Sequence, residues 1–87
     1  MIKHADVIEA IPVDAKDGLI QVVDVPGHSA VAVLYAPDSD GEIKEAIAGL
    51  KEAFPTFNVF QHRTAIVVEE KDTPKQGAFV QHFIRKL

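Results

Sequence analysis

Cysteine and tryptophan are both missing from the 87 residues, and tyrosine and methionine occur once each. Without cysteine there is no disulfide framework, no thiolate metal site and no cysteine nucleophile. The longest unbroken apolar run is Ala30 to Ala36, far short of the roughly 20 residues that span a bilayer. The opening Met1-Ile2-Lys3-His4-Ala5-Asp6 carries no apolar core of a secretory signal. These absences predict a cytoplasmic protein with no membrane association. The five glycines are isolated from one another, which excludes a glycine-rich phosphate loop.

What is present reads as one small globular domain over residues 1–87, with 47% apolar and 25% charged residues. A chain this short buries only about 60% of the surface its unfolded form exposes. Its core must be efficient, or a second copy must complete it.

The charge is uneven. Residues 1–53 hold ten acids against four bases, and residues 54–87 hold three acids against five bases, for a net charge of −4. Direct nucleic-acid binding is not expected, because affinity for phosphate comes from neutralising it with Lys and Arg. The bases Arg63, Lys71, Lys75, Arg85 and Lys86 are sparse and read as ordinary solubilising charge.

Proline marks the boundaries of the apolar segments, since it lacks a backbone donor and restrains its predecessor. Asp6 to Ile11 reads as a short strand stopped by Pro12, and Asp14 to Gly18 as a turn whose Asp-Gly pair suits positive φ. Leu19 to Val25 is β-branched and partly alternating, a strand. Pro26-Gly27 fits the centre of a type II turn within a loop of about four residues. Ala30 to Tyr35 is apolar on both faces, the mark of a central strand, and Ala30 and Ala32 leave close room for a helix on their side.

Ser39 and Glu42 have capping-box spacing, and Ile43, Ala46, Ile47, Leu50 and Phe54 repeat as one helical face ended by Pro55. Phe57–Phe60 and Ala65–Val68 are two strands or one strand bent near His62; Gln61-His62-Arg63-Thr64 holds no Gly, Pro or Asn to decide. Phe79, Val80, Phe83, Ile84 and Leu87 have helical spacing after Thr73-Pro74, which resembles an N-cap with proline at the first helical position. The expected fold is α+β. It is a two-layer sandwich: a mostly antiparallel sheet of 4–5 strands, a central helix over about 39–54 and a C-terminal helix over about 74–86.

Catalytic and metal chemistry find no constellation. His4, His28, His62 and His82 are scattered with no i,i+4 pair. Asp38-Ser39-Asp40-Gly41-Glu42 lacks a calcium loop's third acid and places its glutamate too early. Ser29 and His28 are chain neighbours that point apart on extended backbone. Glu69 and Glu70 read as solvated strand-end carboxylates. Catalytic residues, metal and cofactor are all expected to be none.

Partner binding remains. Phe54, Phe57, Phe60, Phe79 and Phe83 crowd the C-terminal third, and apolar surface left over on a small domain marks an interface. The expectation is a non-enzymatic protein–protein interaction module, an adaptor or an inhibitor of a larger machine such as phage antagonists of host enzymes. It is expected to bind a protein partner through Asp38, Asp40, Glu45, Glu52, Phe60, Phe79, His82 and Phe83. A homodimer through an edge strand or the phenylalanine-rich side is a further expectation. The alternatives are an enzyme or ligand-binding domain with a site between subunits, built on His28, His62, His82 and Glu69-Glu70, and an acidic decoy for a nucleic-acid-binding protein.

Overall fold

The chain's most apolar strand lies inside a four-stranded sheet of order β1-β2-β4-β3 in the computed structural model, which describes residues 2–25, 27, 29–71, 82 and 85. Here β1 is Leu19–Asp24, β2 Ala30–Tyr35, β3 Phe57–His62 and β4 Ala65–Glu70. All neighbouring strands are antiparallel. Helix α1 spans His4–Ala10, a 3-10 helix spans Val13–Gly18, and α2 spans Asp40–Ala53. The fold is α+β with a central helix, as expected.

Periodicity explains which faces are buried. Val31, Val33 and Tyr35 of β2 and Ile66 and Val68 of β4 face α2, where Ile43, Ala46 and Leu50 meet them. Side chains at successive strand positions alternate faces, whereas helix positions three and four apart share one. Sealing one such Ile or Leu from water contributes roughly 1.5–3 kcal/mol. The opposite sheet face carries a second cluster of Val25, Ala30, Ala32, Ala65 and Val67, with Val23, Leu34 and Phe60 packed against it. Thus α2 lies across the valine face of β2, not the alanine face. Arg85, helical like His82, borders the alanine face beside Leu34 and Ala65.

Several expectations are corrected. Asp6–Ile11 is not a strand: it is mostly α1, because Val7 and Ile11 are the buried positions and stand four apart. Six residues are too few to separate that period from two by pattern alone. Asp14–Gly18 belongs to the 3-10 helix, in which the Pro12 carbonyl accepts from the Ala15 and Lys16 amides at 3.0 and 3.2 Å. Gly18 does not have positive φ; Gly27 does, at 76°. Gly18 serves instead as a gap, since a Cβ there would strike the buried Ser39 hydroxyl.

That packing also removes the expected capping box. Ser39 has φ −103° and ψ 32° and makes no side-chain cap bond, though its carbonyl accepts from the Ile43 amide at 2.8 Å. An N-cap side chain reaches its amide from extended backbone, and this ψ is not extended.

Phe57–His62 and Ala65–Glu70 are two strands of a hairpin, not one bent strand. The return from β2 through α2 reaches β3, which runs parallel to β2 with β4 inserted between them. Of the expected helix over about 74–86, His82 and Arg85 are helical and exposed, and the other positions lie outside the described residues.

Candidate functional site

Among the described residues the outer edge of β3 is an unpaired flank, next to the sheet's aromatic corner. The Phe57 amide donates to the Phe54 carbonyl at 3.1 Å rather than to β4. The Glu70 amide donates to the Ser29 carbonyl, towards β2. Antiparallel ladders alternate, so Asn58, Phe60 and His62 bond β4, while the backbone groups of Val59 and Gln61 face outward. No strand pairs with them among the described residues.

Beside this edge lies a depression of about 380 Å³ lined by Lys51, Phe54, Pro55, Phe57, Asn58, Val59 and Lys71. Phe54 and Phe57 hold its apolar wall edge to face, with ring centroids 5.5 Å apart and planes at 73°. Pro55 ends α2, which brings both rings to the same corner. Lys51 from the last turn of α2 and Lys71 after β4 are its charged groups, and no acid lines it among the described residues.

A second depression, of about 300 Å³, lies at the far end of β3 and is lined by Ile20, Leu34, Tyr35, His62, Arg63, Thr64, Ala65 and Arg85. Arg63 carries the hairpin turn at φ 56°, its carbonyl accepting from Gln61 Nε2 at 2.8 Å. A non-glycine residue in that region costs roughly 1–2 kcal/mol. His62 Nε2 is buried there without a hydrogen-bond partner.

The partner-binding residues expected from sequence are dispersed. Asp38, Asp40, Glu45 and Glu52 are exposed, but Lys44 and Lys51 stand among them on α2, so its outer surface is of mixed sign. Phe60 is half-buried against Val67 on the second sheet face. His82 is exposed, and Phe79 and Phe83 lie outside the described residues. The large hydrophobics left exposed among the described residues are Ile8, Val13 and Ile20. They are scattered, so the expected apolar surplus is small there.

The intersubunit enzyme constellation does not assemble within the described chain. Glu69 is buried and engaged, not solvated, and Glu70 accepts from the Ser29 hydroxyl at 3.2 Å. His62 pairs opposite Ala65, four residues along β4 from Glu69, a separation of about 13 Å. His28 lies outside the described residues, and no metal-capable group of three or more His, Asp or Glu side chains occurs among the described ones. No helix among them is long and apolar enough to cross a membrane.

No protein-family model matches this chain, and no curated protein or solved structure matches it. Sequence reasoning missed Lys51, Val59 and Lys71. Their significance comes from the strand order, which leaves β3 at the edge, and no local signal in the sequence specifies that order.

Proposed function

We propose that this protein is a non-enzymatic interaction module, an adaptor or an inhibitor of a larger protein machine, which takes an extended acidic and apolar segment of its partner along β3. One observation carries this reading: the outward backbone groups of Val59 and Gln61 run beside a depression of mixed polarity that joins the Phe54 and Phe57 rings to Lys51 and Lys71. An added strand gains main-chain hydrogen bonds, and alternate side chains enter the neighbouring pocket. Apolar side chains of the partner would rest on Phe54 and Phe57, with its carboxylates meeting the two ammonium groups.

The test is selection from a displayed peptide library on the wild-type protein, with Lys51→Glu/Lys71→Glu as counter-selector. Both lysines are exposed, so the double reversal leaves the core intact. Selected peptides should alternate acidic and apolar residues and protect the Val59 and Gln61 amides from exchange. Peptides without acids, or peptides that protect α2 instead, would overturn the reading. Dimerisation in sedimentation, abolished by Gln61→Pro, would give the edge to a second copy instead.

A further inference from the structure

The depression at the far end of β3 stands apart from the edge groove, and its chemistry differs. Arg63 and Arg85 both line it, neither has an ion pair among the described residues, and no acid lies on its wall there. His62 Nε2 is buried there with no hydrogen-bond partner among the described residues, and Thr64 also lines the depression. Its apolar lining is Ile20, Leu34 and Ala65.

We propose that this depression is a binding site for a small organic carboxylate with an apolar body. Guanidinium groups present several N–H donors in a planar fork that suits a carboxylate, and charge-assisted hydrogen bonds are the strong ones. The His62 ring lines the depression and reports on its occupancy, while the anion contacts fall to the exposed Arg63 and Arg85. An oxyanion bonded by Arg63, Arg85 and Thr64 leaves its carbon chain over Ile20, Leu34 and Ala65. The volume, about 300 Å³, is at the small end for ligand pockets, which favours an acid of modest length. Arg63 occupies a left-handed turn position that glycine fills more readily. An arginine thus stands at the depression where glycine would be the easier turn residue.

The decisive variant follows from that position: Arg63→Gly keeps the turn and removes the charge. Hexanoate is the probe, titrated by heteronuclear NMR against hexanol and inorganic phosphate. Hexanoate should shift the Thr64 and Ala65 amides and the His62 ring saturably. Hexanol should bind at least about tenfold more weakly, as should hexanoate on Arg63→Gly, which is the expected loss for one charge-assisted contact. Phosphate should bind more weakly than hexanoate because it leaves the apolar lining uncovered. The proposal is overturned if hexanoate fails to saturate, if hexanol or phosphate matches it, or if Arg63→Gly binds hexanoate as well as the wild type. Lys51→Glu/Lys71→Glu should leave hexanoate binding unchanged, so this site and the edge groove fail or hold separately.

Discussion

Gly49 of α2 lies so close to Ala10 of α1 that a Cβ at Gly49 would stand 2.7 Å from the Ala10 carbonyl oxygen and 2.9 Å from Pro12 Cδ. The helices approach each other at this point, and the absent side chain sets how near they come. Alanine would gain about 1 kcal/mol of helix propensity, but overpacking against backbone costs about 1–3 kcal/mol. Gly49→Ala is therefore expected to destabilise the protein by up to about 2 kcal/mol in urea unfolding. Gly41, on the same helix, has nothing within 4 Å of its Cβ position, so Gly41→Ala should be neutral or stabilising. Equal effects at the two glycines would refute the close-approach argument.

Tyr35 is the only tyrosine, so tyrosinate absorbance reports it alone. Burial pushes its pKa up from 10.0 to about 12, and the nearby Glu42 carboxylate adds to the rise. A pKa raised by folding means that the unfolded chain loses this proton first. The phenol's contribution to stability is thus intact below pH 10 and declines as pH rises from 10 towards 12. Tyr35→Phe should flatten the alkaline fall in stability over that interval. Because the hydroxyl is buried without a partner, the same variant should be neutral or slightly stabilising at pH 7. Titration of the native phenol at its ordinary value would contradict the first expectation.

Two turns offer opposite substitutions. Gly27 has φ 76° and open space around its Cβ position, so Gly27→Ala should cost about 1 kcal/mol through backbone conformation alone. Arg63, at φ 56°, should behave the other way. Arg63→Gly is expected to raise the melting temperature slightly, since relief of about 1–2 kcal/mol of left-handed cost exceeds glycine's extra chain entropy. A lowered melting temperature would show that the arginine side chain supports the fold.

Amide exchange gives a direct reading of the β3 edge. Val59 and Gln61 should exchange much faster than Asn58 and Phe60, whose amides bond β4. Uniform protection along β3 would mean that its outer edge is covered.

Much of the fold is legible in the sequence because its signals are periodic. The face Ile43, Ala46, Leu50 and the unbroken Ala30–Tyr35 run identify α2 and a central strand. Short or unmarked segments mislead. α1 is read as a strand because two helical turns and a short strand share the same few apolar letters. The β3–β4 hairpin stays undecided because Arg63, not Gly or Asn, takes the left-handed position. The candidate sites are less legible still. Lys51, Phe54, Phe57, Val59 and Lys71 lie up to 20 positions apart in the chain; the β3–β4 register, Phe57 opposite Glu70, gathers them, and the strand order leaves them at an edge.

That insertion governs how the molecule is made. β4 is the last described strand in chain order, yet it separates β2 from β3 and supplies Ile66 and Val68 to the main core. The β1–β2 pair can form locally, but the second flank of β2 stays uncovered until β4 pairs with it. Closing the sheet therefore requires β2 and β4, 31 to 39 positions apart in the chain, to meet, and such non-local pairing is slow to form.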